Sequence, residues 1–202
     1  MRPEEFKTLK GWIDYDRPRL HLLTKRQQIR YFRNLLENVV VVPLRRMHAD
    51  IVSPNSGSNP VLCFGTCICC SIEALGKFHT AKLARGNSGN NFKAFVRSFM
   101  DRSWCSSKLA GKLYVDLLWD NFRNGLAHGF TIKSGGFEQA RTYFQVKSIG
   151  GICQLEVDPT RFLRDFRNGA RKFVAGLTAA SASDPKYLRF HRAFRDVFIL
   201  GQ

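Results

Sequence analysis

Three residues near the middle of the chain have the chemistry needed to cleave RNA without a metal ion: Arg123, Asn124 and His128. Strand scission requires one group to take the 2′-hydroxyl proton, another to protonate the leaving 5′-oxygen, and a cation for the phosphorane. Histidine titrates near neutral pH, so its ring suits either proton transfer, and arginine is a permanent cation whose fork matches phosphate. These residues therefore form a candidate phosphodiester site.

The spacing of the three residues fits a helix. Asn124 and His128 are four residues apart and share one helical face, whereas Arg123 lies about 140° away from His128 on a regular helix. Gly125 and Gly129 weaken the helix on both sides, so a bend can let the arginine and histidine side chains converge. An alternative stays open in which His128 and Gly129 simply end the helix, with Gly129 as its left-handed cap.

The Arg-Asn-x-x-x-His pattern at residues 123–128 resembles the motif of the HEPN superfamily. The resemblance covers the motif closely and residues 60–130 loosely. It implies an all-α, HEPN-like helical bundle and metal-independent ribonuclease activity of the toxin, defence or RNA-processing kind, with Arg123, Asn124 and His128 as catalytic residues and no cofactor. It also implies a homodimer in which two motifs meet, and an antitoxin or other partner protein. A HEPN-like module that binds nucleic acid or regulates a partner without cleavage is the alternative.

The motif supplies one histidine per chain, which is too few for both proton transfers and independently favours pairing of two copies. The apolar residues Leu117, Leu118, Trp119 and Phe122 cover more than one face of the predicted motif helix. An apolar surface of this kind is typical of an interface. We therefore expect the dimer interface to include the helix that ends at His128.

Two carboxylates are candidate supports for the motif. Asp120 precedes Arg123 by three residues, so the two side chains can form an ion pair on one helix, or simply a solvated surface pair. Glu73 interrupts an otherwise apolar helix, and a buried carboxylate requires a cationic partner. If its helix packs on the motif helix, Glu73 can hold Arg123 or His128; a surface position at a helix end is the alternative.

The charge of the chain predicts a polyanionic partner, of which RNA is the first candidate. Lysine and arginine number 32 against 16 acidic residues, which gives a net charge of +16 spread along the whole chain. This distribution favours a broad electropositive surface over a basic tail. Four basic residues on one predicted helix are candidate nucleic-acid contacts, or else a solvated charged face: Arg161, Arg164, Arg171 and Lys172.

Composition places the chain among folded globular proteins, with 44% hydrophobic and 24% charged residues. The first residues contain no apolar stretch of the kind found in signal peptides, and the apolar run at 61–72 is too short to span a bilayer, so we expect a cytoplasmic protein without membrane contact. Cys63, Cys67, Cys69 and Cys70 crowd one helix, which cannot wrap a tetrahedral site around a metal. We expect reduced, buried cysteines and no metal site.

The periodicity predicts about six helices and one inserted β-hairpin in a single domain of residues 1–202. After an N-terminal extension (1–24), a first helix begins near residue 25 and ends or kinks at Pro43. A core helix over 61–83 precedes a short amphipathic helix, and a further helix leads from Ser107 into the motif. The hairpin falls within 131–157, and two helices occupy 159–199, each opened by an Asp-Pro pair.

Overall fold

The computed structural model describes residues 20–53, 60–84, 86–129, 135–149 and 152–200, and the side chains of 127–129 and 149 also lie outside the described part. The protein is mostly helical, as expected, with two small sheets. The helices are α1 (Lys25–Leu35), α2 (Val42–Val52), α3 (Val61–Thr80), α4 (Ser88–Phe99), α5 (Ser103–Ser106), α6 (Tyr114–Leu117), α7 (Asn124–Gly129), α8 (Pro159–Ala179) and α9 (Pro185–Phe194). Three π-helical turns extend them at Leu36–Val41, Leu118–Arg123 and Arg195–Ile199.

The predicted start of the first helix is confirmed. Thr24 and Gln27 form a capping box, in which the Thr24 backbone N–H donates to Gln27 Oε1 at 2.8 Å. Pro43 does not end the helix, because the chain passes from α1 through a π-helical turn into α2, where the proline occupies the first helical turn. Proline is tolerated there because the first N–H groups of a helix lack intrahelical acceptors.

Helix α3 lies at the centre of the fold and packs against α2, α4, α8, α9 and the motif segment. Phe64, Ile68 and Ile72 are fully buried along its inner face. The helix ends at Thr80 because Ala81 adopts a left-handed conformation, with φ at 56°. By length and hydropathy α3 is the one helix in the described ranges that could cross a bilayer, but half of it is buried in the fold, as in the core helix of a globular protein.

The expectation that the cysteines of α3 are buried is wrong for most of them. Cys69 is fully buried, whereas Cys63, Cys67 and Cys70 are exposed. Their spacing of four and three residues places them on the outer face of α3, which the described elements leave open. The apolar character of α3 therefore reflects two different surfaces, one packed and one solvent-facing.

The helix expected to run from Ser107 into the motif begins later than predicted. Lys108–Leu109 (β1) and Lys112–Leu113 (β2) pair as an antiparallel ribbon, and the helix starts at Tyr114. The turn is formed by Ala110 and Gly111, with φ of 49° and 79°, which suits a two-residue hairpin turn. Leu109 and Leu113 are four residues apart, so their spacing imitates a helix although they lie on opposite strands.

The predicted β-hairpin is confirmed and acquires a third strand. Phe144–Ile149 (β4) and Ile152–Val157 (β5) pair antiparallel, while Gly136–Phe137 (β3) pairs parallel with β5. The strand β3 is too short to carry a periodic signal in the sequence. Residues 131–134, where the predicted insertion begins, lie outside the described residues.

A half-buried carboxylate connects this sheet to the helices. Asp165 on α8 accepts hydrogen bonds from Tyr143 Oη at 2.8 Å and from Trp104 Nε1 at 3.0 Å. Its other oxygen accepts from the backbone N–H of Asp101 at 2.9 Å. Burial raises the pKa of Asp165 against the opposing effect of these donors. The network fixes the chain entering β4 against α5 and α8.

The two C-terminal helices bury the aromatic residues that their spacing predicts. Asp158 and Asp184 cap α8 and α9, and each is followed by proline at the first helical position. The inward residues are buried: Phe162, Phe166, Phe173, Val174, Leu177, Phe190, Phe194 and Phe198.

The closest backbone approach in the core predicts a mutational effect. A Cβ added at Gly76 of α3 would lie 2.1 Å from the backbone oxygen of Asn91 on α4, whereas one added at Gly176 of α8 would meet nothing within 4 Å. We expect Gly76→Ala to lower the free energy of unfolding by about 1–3 kcal/mol, because a backbone must move. Gly176→Ala should raise it by up to about 1 kcal/mol through helix propensity. Urea unfolding followed by circular dichroism measures both, and equal effects would contradict the close packing.

Candidate functional site

The motif lies where a π-helical turn meets an α-helix. Arg123 is the last residue of the turn Leu118–Arg123, and Asn124 is the first residue of α7. The Asn124 N–H donates to the carbonyl of Trp119, five residues back, rather than four. The wide turn allows Leu118 and Phe122 both to be fully buried while Arg123 points toward α3.

The guanidinium of Arg123 is held by Glu73 of α3. Its Nε and Nη2 donate to the same carboxylate oxygen, Glu73 Oε2, at 2.9 and 2.5 Å. Arg123 Nη1 donates to Asn124 Oδ1 at 3.2 Å, and the guanidinium carbon lies 4.8 Å from the ring centroid of Trp119. Charge-assisted bonds and the stacking on an aromatic face together fix the orientation of the arginine.

The carboxylate of Glu73 is buried and fully compensated. The residue is 6% exposed, and Lys77 Nζ, one helical turn later, lies 3.2 Å from Oε1. Burial alone would raise the pKa of Glu73, but hydrogen bonds from Ser88, Arg123 and Lys77 together outweigh it and lower this pKa. Glu73 is therefore an anion at neutral pH. The sequence left open whether Glu73 contacts Arg123 or His128 or lies at the surface. In the structure, Glu73 forms a buried ion pair with Arg123.

Asp120 does not hold Arg123, contrary to expectation. Its side chain is 44% exposed, and Oδ2 lies 3.7 Å from Lys112 Nζ on β2. Within the described part of the chain, the ion-pair partner of Arg123 is Glu73. The π-helical turn changes the angular relation between positions 120 and 123, and the spacing rule for a regular helix fails there.

The backbone of His128 belongs to α7, one turn after Asn124, but its side chain lies outside the described residues. The structure thus places Arg123, Asn124 and Glu73 together and describes no contact of the histidine ring. The predicted convergence of Arg123 and His128 stays a prediction.

The apolar residues assigned to a dimer interface are part of the core instead. Leu117 is 8% exposed, Leu118 and Phe122 are fully buried, and Trp119 packs on Phe92 with ring centroids 5.4 Å apart. They cover several helical faces because this segment is surrounded by the chain's own elements. An interface at the motif requires other residues.

The four basic residues of α8 have different surroundings. Arg161 Nη2 donates to the backbone oxygen of Arg141 at 2.7 Å, so this side chain holds the loop before β4. Arg164, Arg171 and Lys172 are exposed, and Arg171 lines a groove between α8 and α1. Arg164 and Arg171 are seven residues apart and share one face of α8, and Lys172 lies about 100° around the helix from Arg171.

Three residues of the Arg123 site were not selected from the sequence: Lys77, Trp119 and Ser88, the last of which hydrogen-bonds to Glu73. Lys77 follows Glu73 by four residues and Trp119 precedes Arg123 by four, and both contact the ion pair. The Glu73 to Lys77 spacing is a recognisable helical ion-pair signal. Trp119 carried no such signal, because its apolar neighbours made it resemble an ordinary core or interface residue.

No set of three or more His, Cys, Asp and Glu side chains in the described ranges is placed to hold a metal ion. Partial burial of the thiol raises the pKa of Cys67, and it raises the pKa of Cys70 more than the nearby Arg123 lowers it, so both exposed cysteines are protonated at neutral pH. No family model matches the sequence, and no curated protein or solved structure is found to be similar to it.

The buried ion pair predicts unequal effects of two charge removals. Arg123→Met leaves the Glu73 carboxylate with Lys77 and Ser88 alone, and we expect a loss of about 3 kcal/mol in the free energy of unfolding at pH 7. Adding Glu73→Gln should recover much of this loss, because the unpaired charge is removed. Asp120→Asn is the matched surface control and should cost less than about 1 kcal/mol. Urea unfolding of the four proteins decides the matter; equal stability of Arg123→Met and Asp120→Asn would contradict the assignment.

Proposed function

We propose that the protein is a HEPN-like RNA-binding protein that cleaves RNA without a metal ion and acts as a homodimer. The observation that carries the proposal is the fixed guanidinium of Arg123 immediately before α7, beside Asn124, which lies one turn before His128. A motif arginine that is oriented in advance costs little entropy when phosphate binds.

In the proposed reaction, His128 of one copy removes the proton from the 2′-hydroxyl, which attacks the adjacent phosphorus. The bond between phosphorus and the 5′-oxygen breaks, and His128 of the second copy protonates the leaving oxygen. Arg123 stabilises the charge on the phosphorane, and Asn124 orients the ring of His128 or binds a phosphate oxygen. The products are a 2′,3′-cyclic phosphate and a 5′-hydroxyl.

The charge of the protein supports RNA as the substrate class. A net charge of +16 produces a long-range attraction for a polyanion. Exposed cations on α8, such as Arg164 and Lys172, can add direct contacts with phosphates. Their contribution is independent of base sequence, because phosphate contacts position a nucleic acid without reading it. A toxin or defence role, with an antitoxin or other partner, belongs to the same proposal.

One observation favours the non-catalytic alternative. Glu73 occupies two of the donor groups of Arg123, so the arginine already serves the fold before any ligand arrives. A residue committed in this way also suits a module that binds RNA or regulates a partner without cutting it. The two functions differ in whether His128 carries out proton transfer.

The exposed face of α3 supports the homodimer. Between Val61 and Lys77 its exposed residues carry no charge: Leu62, Cys63, Cys67, Cys70 and Ala74. Thr66 and Ser71 beside them donate their hydroxyls to carbonyls of the same helix, at 2.8 and 2.6 Å. Two strongly cationic copies repel each other least where neither presents charge. This face also adjoins the motif, because Cys70 lies about one helical turn before Glu73, the ion-pair partner of Arg123.

Substitution of His128 separates cleavage from binding. We expect His128→Ala to reduce cleavage of single-stranded RNA by about 100- to 10,000-fold, while the affinity for RNA stays nearly unchanged. His21→Ala removes another histidine, exposed and outside the motif, and is the matched control. Cleavage is measured on labelled RNA in EDTA with identification of the product ends, and affinity is measured by fluorescence anisotropy.

Intact RNA with the wild-type protein, or inhibition by EDTA, would rule out the ribonuclease. Equal loss of cleavage in His128→Ala and His21→Ala would also rule out the assigned role. Retained RNA binding together with intact RNA would favour the non-catalytic module.

The dimer is tested by placing charge on the outer face of α3. We expect a dimer at tens of micromolar concentration under reducing conditions and a monomer for Cys67→Arg, because two added cations would meet at the interface. Cys153→Arg adds the same charge at an exposed cysteine of β5 and should stay dimeric. Sedimentation equilibrium measures all three. A monomeric wild-type protein would leave the mechanism with too few proton-transfer groups.

A further inference from the structure

A groove runs between two helices that are far apart in sequence. The helix α1 and its π-helical turn form one side, α8 forms the other, and the volume is about 480 Å³. Apolar side chains line it from both sides, including Leu36 and Val41 on the π-helical turn after α1 and Val174 and Ala175 on α8. We call this the α1–α8 groove.

The edges of the groove are strongly basic. Arg33 borders it on the α1 side, and Arg167 and Arg171 border it on α8. Next to it lies a second depression of about 370 Å³, which shares Arg33 and is lined further by Lys25, Arg26 and Arg30. Glu37 is the single acidic residue among the described residues that line the two. An apolar centre with cationic edges is complementary to a ligand with an apolar stripe between carboxylates.

Arg167 supplies a second observation at the same place. Its Nε–H is buried, and no acceptor within the described part of the chain reaches it. A buried donor without an acceptor costs free energy, and rotation of this half-exposed side chain toward a ligand that brings an acceptor would remove that cost. A carboxylate is the strongest partner for a guanidinium nitrogen.

The shape of the groove fits a helix. The lining residues of α8 recur every three or four positions from Arg167 to Thr178, which is a stripe of three turns or about 16 Å. A docked helix of three to four turns would cover this length. Such a helix lays its apolar face on the floor of a groove and presents charged residues to the edges.

The lining argues against single-stranded RNA as the occupant. Its apolar members are aliphatic, and neither depression is lined by phenylalanine, tyrosine or tryptophan. Proteins that bind single-stranded nucleic acid stack bases on aromatic side chains, and an aliphatic floor offers no such platform. We propose that the α1–α8 groove binds an acidic amphipathic helix of a partner protein.

This inference does not depend on the proposed ribonuclease. None of the residues of the motif lines the groove, so loss of cleavage in a His128 variant and loss of helix binding in a groove variant are separate results. The partner can regulate the protein whether or not the motif is catalytic.

A designed peptide tests the groove directly. The probe is a fluorescently labelled peptide of about 14 residues, with leucine along one helical face and glutamate on both sides of it. A peptide of the same composition in scrambled order keeps the charge and loses the apolar face. Labelled single-stranded RNA and a peptide with the sequence of residues 1–19 complete the set, and fluorescence anisotropy measures each affinity with the full-length protein.

Two variants separate the groove from general attraction. Ala175→Trp fills the floor without changing the charge, and Ala175 is exposed, so the fold should tolerate it. Arg171→Glu reverses charge at the edge, and Arg164→Glu makes the same change on the same helix outside the groove. We expect the amphipathic peptide to bind at least about tenfold more tightly than the scrambled one. Ala175→Trp and Arg171→Glu should each weaken it about tenfold, and Arg164→Glu should have little effect.

Several results would overturn the proposal. Equal affinity for the amphipathic and scrambled peptides would show that binding is due to general cationic attraction and not to the groove. Equal effects of Arg171→Glu and Arg164→Glu on peptide affinity would show the same. A larger effect of Ala175→Trp on RNA than on the peptide would make it an RNA site. Conversion of a dimer into a monomer by Ala175→Trp would assign the groove to a second copy, and tighter binding of the 1–19 peptide would assign it to the chain's own N-terminus.

Discussion

A negative charge inside an apolar helix is the constraint on which the arrangement of the site depends. Glu73 lies on the packed side of α3, where a carboxylate is stable only if cations and donors surround it. Lys77 comes from the same helix, but Arg123, which donates two hydrogen bonds to Glu73, comes from a different segment. The ion pair therefore fixes the rotation of the motif segment against the central helix. Movement of either helix would leave a buried charge unpaired, and this keeps the guanidinium in one place.

The π-helical turn before α7 lets this electrostatic requirement coexist with close packing. Leu118 and Phe122 must enter the core, and Arg123 must reach Glu73 from the next position along the chain. Widening the turn by one residue satisfies both, and Trp119 then lies against the guanidinium. The site is thus a product of core packing as much as of the motif itself. A polar constellation built in this way is rigid before any ligand binds.

Local sequence patterns predicted much of the fold and little of the candidate site. Helices α1, α3, α8 and α9 and the β4–β5 hairpin follow from capping residues, Asp-Pro pairs and apolar spacing, because these signals act within a few residues. The β1–β2 ribbon was not predicted, because no sequence pattern identifies the left-handed Ala110 in its turn. Glu73 was recognisable as an anomaly in an apolar helix. Its pairing with Arg123 depends on contact between elements fifty positions apart in the chain, which local patterns do not report. The α1–α8 groove likewise arises from contact between distant helices, which periodicity cannot reveal.

The three π-helical turns also bear on how such a chain can change its length. Removing one residue from a regular α-helix rotates every later side chain by about 100°, which moves core residues into solvent. Removing one residue from a π-helical turn converts it into an ordinary turn, and the faces on either side keep their orientation. The segments Leu36–Val41, Leu118–Arg123 and Arg195–Ile199 are therefore places where evolution can gain or lose a residue with little structural penalty. A residue gained or lost at one of these turns would leave the spacing within α7 unchanged.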